Sequence, residues 1–248
     1  MRNAGRAIAA LITLLGAAML TPQTAVAGDT ASLNVIGYSR DGGIFAFEEY
    51  GVQDGSGFAY SNYFFLDTQT DTFLPGTPIR VLVEDEVSLG KTRQLSADKA
   101  AALVAQHKLT DNPGSLLAYN PPSEVNSDQF NLRFHSYVSS APMTEQTNTL
   151  ELIEQEFPPS KDCVNMTGSY KGFTLKLLED GGNPVDRVIH ADKSVPASRF
   201  CANGYRIGAV VGSETSQAPV IAMILVSRFG FEGPDRRWIA VPVRAAGP

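Results

Sequence analysis

Two stretches of the chain concentrate the residue types that bind ligands or do chemistry. The first runs from Phe47 to Tyr63 and reads FEEYGVQDGSGFAYSNY. Glu48 and Asp54 supply carboxylates, and Tyr50, Phe58, Tyr60 and Tyr63 supply flat rings. The glycines at 51, 55 and 57 let the backbone turn sharply or approach a ligand closely. A loop of this composition, carried by a rigid sheet, suits a polar or cationic ligand, with rings for stacking and acids for orientation. The candidate ligand-binding residues are therefore Glu48, Tyr50, Asp54, Phe58, Tyr60 and Tyr63. The competing reading is a hairpin whose rings fold back onto the core. The second stretch is Gly230 to Trp238, GFEGPDRRW. Gly233-Pro234-Asp235 is a turn signal. Asp235, Arg236 and Arg237 either hold an anion or pair within the turn. The structural turn is the preferred reading, because the only tryptophan sits beside it as an anchor.

The signatures of known reaction centres fail in turn. Gly55-Ser56-Gly57 lacks the outer spacing of a nucleophile elbow. No His-Glu-x-x-His is present, and no phosphate-binding glycine loop precedes a helix. Asp54-Gly55-Ser56 opens like a calcium loop, but no spaced carboxylate series follows, so neither metal nor cofactor is expected. Glu48 and Glu49 are adjacent, and adjacent residues of a strand point to opposite faces, so this pair cannot flank one scissile bond. His107, His135 and His190 are far apart. The residues thus favour a non-catalytic binding or interaction module. A carboxylate-dependent cell-envelope hydrolase is the alternative, with its catalytic residues unassigned.

The destination of the chain is read from its first 28 residues. Arg2 and Arg6 form a positive n-region, Ala7 to Leu20 an apolar h-region, and Ala25-Val26-Ala27 a small-x-small cleavage site. Residues 1–27 read as a signal peptide cleaved after Ala27, leaving an exported protein, periplasmic or extracellular, with no transmembrane segment. The chain has 20 basic and 26 acidic residues, and two of the basic ones lie in the leader. No basic stripe marks a nucleic-acid partner. The expected partner is a polar small molecule or an envelope protein. Cys163 and Cys201 are the only cysteines. An even pair in an exported chain forms a structural disulfide.

The elements that position these residues read as strands. Short apolar or alternating runs occur at 44–47, 63–66, 80–87, 130–138, 173–178, 185–189, 205–211 and 220–229. The last is apolar on both faces and is therefore a central strand covered on both sides. The exception is 96–107, read as one short helix with Ser96 as N-cap and Asp98 in its positive first turn. The fold class is mainly β, with antiparallel sheets in a sandwich-like or partial propeller-like arrangement. Residues 28–248 are expected to form one domain, with a soft boundary near 119–128 at Pro121-Pro122.

Two resemblances add to this. The glycine-aromatic, aspartate turn and strand of 37–47, with the turn at Asp67 to Asp71, resemble the opening of TolB-like propeller repeats over residues 37–73. More extensively, FAFEEYGVQDGSGF at 45–58, GFEGPDRR at 230–237 and Pro-x-Ser-Arg-x-Cys at 196–201 are similar to the marked motifs of a bacterial family of predicted secreted proteins of unknown function. Members often have Phe-Pro-Tyr where this chain has Phe58-Ala59-Tyr60. The resemblance implies secretion and a shared domain, and no reaction.

Overall fold

A computed structural model describes residues 28–136, 146–166, 168–213 and 218–244. The predicted leader, 1–27, lies outside the described residues, as do positions 137 and 138 of one predicted strand.

The strand that is apolar on both faces organises the molecule. Even-numbered Ala222, Ile224 and Val226 pack into one core, and odd-numbered Ile221, Met223 and Leu225 into another. A strand alternates its side chains between faces, so two cores require a sheet above and a sheet below. The described residues form three antiparallel sheets that meet this requirement. The middle one has the order β13-β12-β11-β6, from β6 (Ser115–Tyr119), β11 (Ala202–Gly212), β12 (Val220–Arg228) and β13 (Asp235–Val243). Phe229, expected on the odd face, lies just beyond β12 and is exposed, because the ladder ends at Arg228 paired with Asp235.

The first sheet covers the odd face. Its strands are β1 (Ser32–Tyr38), β2 (Ile44–Val52), β3 (Ala59–Asp67), β4 (Thr72–Phe73) and β5 (Ile79–Val83), and β4 and β5 share the outer edge of β3. Tyr38, Phe45, Phe47, Tyr60 and Phe64 pack against the middle sheet, with Phe47 and Phe64 stacked at 4.7 Å. Aspartates close two turns of this sheet: Ser39 donates to Asp41 between β1 and β2, and Asp67 accepts the backbone N–H groups of Gln69 and Thr70 after β3. The sheets themselves stack as sandwich-like layers. The predicted strand 80–87 stops at Val83, where Glu84-Asp85-Glu86 places three acids in succession and the chain turns.

The third sheet covers the even face as a meander of β7 (Asn131–His135), β8 (Thr147–Glu156), β9 (Lys171–Asp180) and β10 (Asn183–Ala191), ordered β10-β9-β8-β7. Phe134, Leu150, Leu152, Phe173, Leu175 and Leu177 are its contribution to the core. Cys163, in the β8–β9 connection, is disulfide-bonded to Cys201, which immediately precedes β11. The bond ties the third sheet to the middle one across a closure of 38 residues. In the chain-entropy description, closing such a loop stabilises by about 4 kcal/mol.

The helix lies on the outer face of the first sheet, and its start differs from the expectation. The helix α1 spans Leu89–Gln106, with Ser88 as N-cap accepting from the Lys91 backbone N–H. Ser96 is a fully buried mid-helix residue, and Asp98 pairs with Gln94 on an exposed surface. Gly90 and Thr92 are weak helix formers, which hides the first two turns from a propensity reading. Packing overrides that weakness: Thr92, Ser96 and Ala100 are fully buried, and Ala100, Leu103 and Val104 join the cluster of Ala46, Tyr63 and Phe65.

Candidate functional site

The β2–β3 hairpin spans most of the first candidate stretch. Gly51 pairs with Tyr60 and Val52 with Ala59, so the turn proper is Gln53 to Phe58. Strand alternation then divides the candidate residues. Glu48, Tyr50 and Tyr63 face the helix, whereas Tyr60 faces the middle sheet together with Glu49 and Asn62.

On the helix side the groups satisfy one another. The fully buried Glu48 carboxylate accepts Arg93 Nε at 2.9 Å and Nη2 at 2.8 Å, Ser61 Oγ at 2.9 Å and Asn34 Nδ2 at 3.0 Å. Arg93 lies 3.8 Å above the Tyr50 ring. The Ser61 and Ser96 hydroxyls are hydrogen-bonded to each other. Burial alone would raise the Glu48 pKa, but the Arg93, Asn34 and Ser61 hydrogen bonds outweigh it and hold the carboxyl below its ordinary range. Tyr50 also borders an open depression with Leu33, Tyr119 and Trp238.

The turn itself meets the second candidate stretch. Asp54 Oδ2 accepts the Glu232 backbone N–H at 3.3 Å, and Phe231 lies over Gly55. Gly55 and Gly57 have φ of +80° and +70°, which favour glycine. Phe58 is half-buried. Arg237 donates to Asp29 Oδ2 at 2.5 Å and stacks 4.5 Å over Tyr60, whose hydroxyl donates to Asp29 Oδ1 at 2.9 Å. Asp235 accepts the Asp29 N–H, and Arg236 reaches Thr30. The second stretch is therefore pinned to the residues that begin the first sheet. Trp238 is its anchor, donating Nε1 to the Ala31 carbonyl at 2.8 Å.

Beside this anchor a cleft of about 280 Å³ opens where the sheets meet. Glu49, Tyr60 and Asn62 line it from β2 and β3, and Phe73, Arg80 and Leu82 from the outer edge of the first sheet. Arg228, Arg237 and Trp238 come from β12 and β13, and Ser198 and Arg199 from the 3-10 turn Ala197–Arg199 ahead of the disulfide. Burial pushes the Glu49 carboxyl up, against the opposing pull of the Trp238 N–H at 2.8 Å and Asn62 Nδ2 at 3.1 Å. Each of its oxygens thus accepts one hydrogen bond. Arg199 is bound to Asp192 at 2.5 Å, and Asp192 also takes His190 Nε2 at 2.9 Å. His190 stacks on Phe173 at 4.7 Å between ring centres.

Of the candidate residues, Tyr60 and Arg237 line this cleft, and Glu48, Tyr50, Asp54, Phe58 and Tyr63 do not. Sequence reasoning named Glu49 as an acid flanking the first stretch but did not single out Asn62, Arg80 or Arg228. Only the period of two was available to place Glu49 and Asn62, which share the face of Tyr60. Nothing local marks Arg80 or Arg228.

A model of a family of predicted secreted proteins, DUF2259, matches residues 46–244. The chain belongs to that family. Nothing matches it among the curated proteins or among the solved structures. Among the described residues no helix is long and apolar enough to cross a membrane. The three family-like motifs lie far apart in the chain, yet each contributes to the wall of the one cleft: Glu49 and Gln53 from the first, Ser198 and Arg199 from the second, Arg237 from the third.

Proposed function

We propose that this member of the secreted family is a non-catalytic binding module of the periplasm, released by cleavage after Ala27, and that the junction cleft holds a small polar molecule. The supporting observation is the convergence of all three motif segments on one cleft wall. A scaffold alone needs no such convergence, because the cores are filled elsewhere by aliphatic and aromatic residues. The cleft combines polar groups with the rings and aliphatic chains of Phe64, Phe73, Leu82 and Ile239, the usual make-up of a small-molecule site. The hydrolase alternative has less support. Two carboxylates must flank the bond that breaks, and among the described residues the cleft wall offers Glu49 alone.

The test is native mass spectrometry of protein recovered from the periplasm. A small molecule should travel with the wild-type chain and be absent from Leu82→Trp and Ser198→Trp, which narrow the cleft from opposite walls at exposed positions. Equal retention by the variants, or conversion of the bound molecule by the wild type, would defeat the proposal.

A further inference from the structure

Four arginines line the junction cleft, and their partners divide them into two kinds. Arg199 and Arg237 are each engaged by a buried aspartate at 2.5 Å. Arg228 and Arg80 are not. Among the described residues Arg228 makes no hydrogen bond, and its one ion pair, to Asp235, is long at 3.8 Å, although its side chain is only 27 % exposed. Arg80 has neither a hydrogen bond nor an ion pair and lies 5.9 Å from the Phe64 ring centre. Glu49 attracts the Arg228 charge without a hydrogen bond to it, its own bonds running to the Trp238 N–H and Asn62. Burial and the neighbouring Arg237 both press against the Arg228 charge, yet a guanidinium stays protonated in a protein. Arg228 is partly desolvated, and its donors, none of them sealed from solvent, make no hydrogen bond to the described residues and are free for a ligand.

We infer that Arg228, assisted by Arg80, is the carboxylate-binding subsite of the cleft, and that the ligand is a small organic acid with an apolar body. This rests on the binding reading above and specifies its ligand. A carboxylate matches the planar fork of a guanidinium and accepts two of its donors at once. The rest of the cleft fits the remainder of such a molecule. Phe73 and Leu82 stay exposed at 41 % and 44 % on its first-sheet side, and Val226, Trp238 and Ile239 form the wall behind. The acidic chain as a whole repels anions at a distance, so selection comes from this local pair. Of the polar or cationic ligands expected from the sequence, this cleft then takes a polar one that is anionic. Of the acids that flank the first stretch, Glu48 and Asp54 are engaged by Arg93 and by the Glu232 backbone, and Glu49 by the Trp238 N–H and Asn62.

The experiment is calorimetric titration of the exported, oxidised chain at low salt with benzoate, its neutral isostere benzamide, its cationic isostere benzamidine, and inorganic phosphate. Benzoate should bind, benzamide at least tenfold more weakly, and benzamidine and phosphate not measurably. Arg228→Gln should weaken benzoate at least tenfold and Arg80→Gln about threefold, with both variants keeping the wild-type melting behaviour. The Arg228 Nε–H resonance should move on adding benzoate to the wild type. Equal binding of benzoate and benzamide, benzoate binding untouched by Arg228→Gln, or no benzoate binding at all would overturn the inference. Equal binding of phosphate would overturn the apolar body. A neutral molecule found by native mass spectrometry in the wild type and lost from Leu82→Trp would overturn this inference while leaving the binding proposal standing. The absence of any cleft ligand in both experiments would remove both.

Discussion

The two faces of the β2–β3 hairpin carry nearly the same chemistry to opposite ends. On the helix face Glu48 is fully buried and matched by Arg93, Ser61 and Asn34, so every oxygen has a donor and the arginine is used up. One residue along, Glu49 is also buried and also satisfied, but by an amide and a backbone N–H. Two of the four arginines on that side, Arg228 and Arg80, are left over at the edge of open space. The first face is closed by a helix laid flat upon it. The second is closed only in part, because the middle sheet packs on Tyr60 and Phe64 and leaves a gap towards the third sheet. The first network holds the helix to the sheet, whereas on the second face Arg228 and Arg80 are left beside the cleft without a hydrogen bond from their side chains.

This contrast can be broken by substitution. The largest effect is expected at Tyr60, which belongs to the cleft face and to the core at once. Tyr60→Ala removes a ring that is 4 % exposed and the hydroxyl that holds Asp29. It should cost about 4 kcal/mol in urea denaturation, as large aromatic truncations do. A cost under about 1 kcal/mol, the usual value for a surface change, would move Tyr60 out of the core. The test of binding at this face therefore belongs to Leu82, Ser198 and Arg228, where the fold has less at stake.

Arg93→Met comes next. It leaves the Glu48 carboxylate buried without its cation, and loss of one partner of a buried pair costs about 3 kcal/mol, near the low end because Arg93 is 36 % exposed. Arg228→Gln is the matching change on the other face and should have the opposite sign. Removing a cation that has no close partner should leave stability unchanged or raise it by about 0.5 kcal/mol. If the two arginine variants destabilise equally, the distinction between the faces fails.

The pH response sharpens the same comparison. Glu48 is held below its ordinary 4.5, so the unfolded chain binds its proton more tightly. Its contribution is present in full above 4.5 and is lost as pH falls through the lower folded value. Glu49 is pushed above 4.5 by burial. The folded chain then holds that proton more tightly, and stability declines as pH rises from 4.5 through the raised value. Melting temperatures across this range should show Glu48→Gln flattening the acid-side loss and Glu49→Gln flattening the decline above 4.5. Matching slopes in the two variants would contradict the opposed environments.

Much of this layout was legible before any coordinates. The double-sided apolar pattern of 220–229 located the central strand, one residue too long at its end, the two cysteines paired, and Trp238 is hydrogen-bonded beside the turn. The alternation rule had already sent Glu48 and Glu49 to different faces. Other elements hid for physical reasons. β8, with the sequence TNTLELIEQE, is rich in helix formers and is a strand only because Leu150 and Leu152 alternate into the core. The first turns of α1 contain Gly90 and the buried Thr92, which propensity counts against a helix.

The chain by itself determined which residues are apolar, how they alternate and where turns must fall, because periodicity and turn chemistry are local properties of the backbone. It also determined that the family-like segments are special, without saying why. Only the tertiary structure decided that β5, the 3-10 turn at Ala197–Arg199 and the end of β12 converge on one cleft. Only the tertiary structure decided which of the arginines are spent there. Pairing depends on distances between residues up to 208 positions apart, as for Asp29 and Arg237. Those distances are fixed by the packing of three layers, a property that no window of the sequence contains.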